Sequence, residues 1–129
     1  MALFRKKPKS DVVDPEARSP KTGIKYKDLE VVSQLVKLGA DLTQPRHVLY
    51  YLYFPGAEPA SNAADDARSH SFEVAVKDPL PQYPGHWSLT CERRGVVLDT
   101  DTIRGHRDYF DDLAATFGGE YDGWEASVR

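Results

Sequence analysis

The run Arg46-His47-Val48-Leu49-Tyr50-Tyr51-Leu52-Tyr53-Phe54 limits the possible folds of this chain more than any other stretch. Its aromatic and aliphatic side chains suit a strand, and Pro55-Gly56 close it. Alternate residues of a strand face opposite ways. If Val48, Tyr50, Leu52 and Phe54 face a helical layer, then Leu49, Tyr51 and Tyr53 face away from it. A strand apolar on both faces needs helices on one side and leaves an aromatic surface on the other.

The rest of the chain supplies the layers. Leu29, Val32, Leu35, Val36 and Leu38 fall on one stripe at helical spacing, ahead of a stop at Gly39. After the strand, Pro59 suits the first turn of a second helix, and Ala60, Ala63, Ala64 and Ala67 give it a face small enough to lie close on a sheet. Phe72–Lys77 and His86–Arg94 alternate as strands on either side of a loop carrying Pro79, Pro81, Pro84 and Gly85. Asp99 or Thr100 caps a third helix with Ile103, Phe110, Leu113, Ala114 and Phe117 on its buried stripe, and Gly118-Gly119 end it. Tyr121–Val128 reads as a last strand, with Trp124, Ala126 and Val128 inward and Tyr121 on the opposite face. The order α, then β-α-β-β-α-β, predicts an α+β fold. Its form is a ferredoxin-like split βαβ sandwich, a four-stranded antiparallel sheet with an extra N-terminal helix.

Charge divides the chain. Residues 1–27 hold eight Lys or Arg and three Asp or Glu, and the remainder holds nine basic and seventeen acidic residues, so a net +5 precedes a net −8. Residues 1–24, with Pro8, Pro15 and Pro20 and few apolar groups, are expected to be a disordered basic arm, and residues 25–129 a single domain. No stretch approaches the ~20 apolar residues of a membrane span. The start Met1-Ala2-Leu3-Phe4-Arg5-Lys6-Lys7 reverses the charge order of a secretory signal, so a cytoplasmic protein is expected.

Reactive chemistry is hard to find. The single cysteine, Cys91, alternates with Leu89 on the core face and reads as an inert buried thiol. His47, His70, His86 and His106 are widely spaced, without a metal-ligand pattern, and read as ordinary surface or edge residues. No glycine loop cradles a phosphate, and neither a cofactor nor a catalytic group is expected. What remains is surface. Tyr51 and Tyr53 stand on the open sheet face, and Asp108, Asp111 and Asp112 share the outer side of the third helix, a solvated face or a docking patch for a basic partner. Aromatics on an open sheet also suit stacking on single-stranded RNA bases. A domain of net −8 opposes that use, because phosphate neutralisation supplies much of such affinity.

The stretch Phe117-Gly118-Gly119-Glu120-Tyr121-Asp122-Gly123-Trp124-Glu125 resembles the C-terminal signature of the regulator of ribonuclease E activity B family. Gly39–Arg46, Tyr51–Pro55 and Trp87–Cys91 are similar to other parts of that family, so the resemblance spans roughly residues 25–129. It implies a ferredoxin-like, non-catalytic protein that binds ribonuclease E outside the catalytic machinery and lowers or redirects RNA cleavage. A ribonuclease E/G-type enzyme is then the expected partner. The expected contact residues are Tyr51, Tyr53, Asp108, Asp111, Asp112, Glu120, Tyr121, Asp122 and Trp124, with single-stranded RNA binding on the open sheet as the alternative.

Overall fold

The computed structural model of the chain describes residues 13–129. Among the described residues three helices, α1 (Tyr26–Lys37), α2 (Ala57–Ser69) and α3 (Thr100–Thr116), accompany four strands: β1 (Arg46–Phe54), β2 (Glu73–Lys77), β3 (Trp87–Val96) and β4 (Glu120–Ala126). The strands form one sheet in the order β2-β3-β1-β4, and every neighbouring pair is antiparallel. The α+β arrangement and the four-stranded antiparallel sheet expected from the periodicities are therefore present. β1 and β2, joined through α2, are separated in the sheet by β3.

Burial along β1 alternates strictly, with Val48, Tyr50, Leu52 and Phe54 in the core. Ala60, Ala63, Ala64 and Ala67 of α2 are all buried, and their short side chains bring the helix onto β2 and β3. Phe110 of α3 stacks on Tyr50 at 4.5 Å between ring centres and touches Phe72 at 5.0 Å and Tyr121 at 5.3 Å. The Asp99 side chain accepts from the Thr102 amide at 2.8 Å and opens α3. Gly118 and Gly119 close it by donating back to Ala115 and Ala114. A side chain at Gly119 would collide with the Tyr53 carbonyl oxygen and the Phe54 ring. That glycine is what lets the helix end press against β1.

One expectation changes in part at the first helix. Leu35 of the expected stripe is buried and Leu29 and Val32 pack against the core, but Val36 and Leu38 are 53% and 67% exposed, while Asp28 is 2% exposed on the buried face. α1 packs on the side of the sheet that carries the other helices. Asp28 accepts from Arg107 of α3 at both oxygens, Nε at 2.9 Å and Nη2 at 2.7 Å, and from Trp124 Nε1 at 2.9 Å. Three charge-assisted bonds to one buried carboxylate hold α1 beside α3, on the helical side of the sheet.

The arm expected to be disordered over 1–24 is described only in part. Residues 1–12, with Arg5, Lys6, Lys7 and Lys9, lie outside the described residues, but residues 13–24 run against α3. Arg18 and Lys25 pair across a turn in which the Ser19 amide donates to Ile24, and Ile24 is buried. Arg18 then reaches Asp108 at 2.7 Å and Lys25 reaches Asp111 at 3.3 Å, while Arg104 donates to the Thr22 carbonyl. Composition concealed this docking, because its partners lie far away in sequence.

His106 corrects the expectation that the histidines are surface residues. Its Nε2 accepts from Arg93 Nη1 at 3.2 Å, and its Nδ1 meets the Tyr50 hydroxyl at 2.6 Å. Burial and the Arg93 charge push its pKa down to about 4. The unfolded chain protonates near pH 6.5 and the folded one only near 4, so the unfolded state binds more protons between those values. Stability should therefore fall as pH drops from about 6.5 to about 4. Discounted for the part of the ring that water reaches, the loss should be about 2 kcal/mol. Comparing denaturant midpoints across that window in the parent and in His106→Gln checks this; equal pH slopes would refute it.

Candidate functional site

β4 decides what the last strand shows to solvent. Opposite Tyr51 stands Gly123, but opposite the next residue, Leu52, stands Tyr121, so Asp122 is an extra residue in the ladder. Gly123 takes φ +119°, which side chains resist, and makes this bulge possible. The one-residue insertion corrects the expectation that Tyr121 and Trp124 lie on opposite faces. Both face the helices, Tyr121 stacked near Phe110 with Arg107 4.5 Å above its ring, Trp124 bonded to Asp28. Burial raises the Tyr121 phenol far above its usual range. These two aromatics support the surface from below instead of forming it.

Across the sheet, the face away from the helices is built in three rows. Glu73, Glu92, Leu49 and Glu125 form one, and Ala75, Thr90, Tyr51 and Gly123 the next. Lys77, Ser88, Tyr53 and Glu120 form the last. Tyr51 donates to Glu125 Oε1 at 2.9 Å, and burial together with that carboxylate pushes its phenol up to about 12. His47 Nε2 lies 2.5 Å from Glu92. The proline loop rises beside the last row and encloses a cleft of about 540 Å³ lined by Tyr53, Leu80, Tyr83, His86, Glu120 and Asp122, with Lys77, Asp78 and Ser88. Tyr83 and Leu80, 56% and 59% exposed, form its outer wall. The strand pattern points to Tyr53 and the family resemblance to Glu120, whereas neither points to Tyr83 and His86; aromatics set among Pro79, Pro81 and Pro84 are the available signal.

The acidic residues of α3 do not form one patch. Asp108 is taken up by Arg18, and Asp111 by Arg107 and Lys25. Asp112 lies around the helix, lining a shallow depression with Asp66, His70 and Tyr109. Thus Tyr51, Tyr53, Glu120 and Asp122 share the open face, while Asp108, Asp111, Tyr121 and Trp124 do structural work elsewhere. Cys91 is fully buried and burial pushes its thiol up to about 12, so it stays protonated at neutral pH. Among the described residues no three of His, Cys, Asp and Glu gather to hold a metal ion. No helix among them is long and apolar enough to cross a membrane.

Fold and surface together define a class: a small α+β protein with its helices on one side of a single sheet and an open, aromatic and acidic face on the other. The chain belongs to the family described as Regulator of ribonuclease activity B, whose model matches residues 26–126, from the first residue of α1 to the last of β4. No curated protein matches the chain closely enough to lend it a more particular identity. The docked segment that carries Arg18 and Lys25 lies before the matched region.

Proposed function

We propose that this protein is a non-catalytic, cytoplasmic regulator that binds a ribonuclease of the E/G type through the open face of its sheet. The observation that carries this reading is the composition of that face, with Tyr51 and Tyr53 at its centre and Glu73, Glu92, Glu120, Asp122 and Glu125 around them. Aromatic centres with a charged surround suit protein contacts, and the negative charge suits a basic segment of the enzyme. Family membership supplies the ribonuclease.

Single-stranded RNA is the second reading, favoured only by the two half-buried tyrosines of the open face. The surrounding carboxylates repel phosphates, and Lys77 is the one basic side chain in the three central rows. Salt-dependent co-sedimentation or calorimetry with the cell's own ribonuclease E or G should show binding by the parent, weakened about tenfold or more in Tyr51→Ala/Tyr53→Ala. Absence of binding at low salt would overturn the proposal. An RNA mobility shift abolished by the same double substitution would favour the alternative.

A further inference from the structure

We infer that the cleft beneath the proline loop receives an arginine side chain presented by a basic segment of the protein partner; this rests on the protein-binding reading and names the group recognised. The cleft combines flat aromatic surfaces with unpaired negative charge. Tyr83 and His86 lie nearly parallel, 22° between planes at 5.7 Å, and Tyr53 stands 5.6 Å from His86 on the sheet side. A guanidinium is planar, stacks on such rings and bonds carboxylates with two parallel N–H groups.

The carboxylates are available for it. Asp108, Asp111, Asp101 and Asp65 are each engaged by a basic side chain. Asp78, Glu120 and Asp122, by contrast, enter no ion pair or side-chain hydrogen bond among the described residues, although all three line the cleft. Lys77 and Asp78 offset each other at the β2 end. Three strand spacings, about 14 Å, separate that end from Glu120, so the β4 end, with Glu120 and Asp122, keeps its negative charge. The same carboxylates disfavour phosphate and other anions. About 540 Å³ is the size of a small-ligand pocket (roughly 300–1,000 Å³). It accommodates one long side chain with its flanking backbone.

The test uses the full chain and a Gly/Ser peptide carrying arginine, with matched peptides carrying lysine or citrulline, titrated by NMR. Citrulline keeps the shape of arginine and loses its charge. The arginine peptide should bind about tenfold more tightly than the citrulline peptide, and its shifts should centre on Tyr53, Tyr83 and His86. Glu120→Gln/Asp122→Asn, at exposed positions, should lower its affinity about tenfold and flatten the salt dependence while leaving the remaining spectrum in place. Equal affinity for citrulline, or shifts centred elsewhere, would overturn the inference. A ribonuclease that binds the parent and Glu120→Gln/Asp122→Asn equally would also overturn it while sparing the proposed function. Arginine-specific binding in the cleft with no binding of the ribonuclease would spare the cleft and reject the enzyme as partner.

Discussion

Replacing Asp28 by alanine should lower the unfolding free energy by about 3–5 kcal/mol, because it leaves the Arg107 guanidinium buried without its counter-charge. Arg107 is 3% exposed, with Asp28 on its Nε and Nη2 and Asp111 on its Nη1. Burial opposes its charge, but the Asp28 hydrogen bonds and charge prevail and hold its pKa above the usual arginine value. Trp124 Nε1 would lose its acceptor at the same time. The pair need not itself contribute much net stability, since burying two charges costs desolvation that their attraction only partly offsets. Asp28→Leu combined with Arg107→Met should therefore recover most of what Asp28→Ala loses. Urea denaturation of both variants checks this. A loss below about 1 kcal/mol in Asp28→Ala would mean that the pair is not holding α1 to α3.

Phe110→Ala should cost a similar amount, about 3–5 kcal/mol, through the cavity left between α3 and the sheet. Phe110 is fully buried and touches Tyr50, Phe72, Tyr109 and Tyr121, so its removal strips one side from each of those rings. Phe110→Leu keeps most of the volume and should cost less than about 1.5 kcal/mol. Both changes lie on the helical side, so the fraction that remains folded should still bind a ribonuclease with the parent's affinity. Thermal melts combined with a binding titration separate the two effects. A loss of binding in fully folded Phe110→Leu would contradict the assignment of contact to the open face.

Much of the architecture was legible in the residues. The nine-residue β1 run, the alanine face of α2, the Asp99 cap and the Gly118-Gly119 stop are local signals, each complete within a turn or two of chain. Tyr51 and Tyr53 were placed on the open face by alternation alone. Features that depend on distant partners were not legible. The bulge at Asp122 depends on where β4 aligns with β1, and one inserted residue carries Tyr121 to the other face. Asp28 interrupts an apolar stripe and reads as a solvent residue until Arg107, 79 positions away, is brought beside it. The docking of residues 13–24 likewise depends on Asp108 and Asp111, which seemed to belong to a free acidic face.

The aromatic strand β1 lies inside the sheet, between β3 and β4. By itself the sequence determined that β1 would carry Val48, Tyr50, Leu52 and Phe54 on one side and Leu49, Tyr51 and Tyr53 on the other, because the two-residue period of a strand is a property of the backbone. Only the tertiary structure decided what surrounds those tyrosines. Strand register sets Glu120 beside Tyr53, the bulge removes Tyr121 from the face, and the proline loop brings Tyr83 and His86 over Tyr53. Register and loop packing join segments that no local period connects, so the charge and shape of the face existed only once the chain had folded.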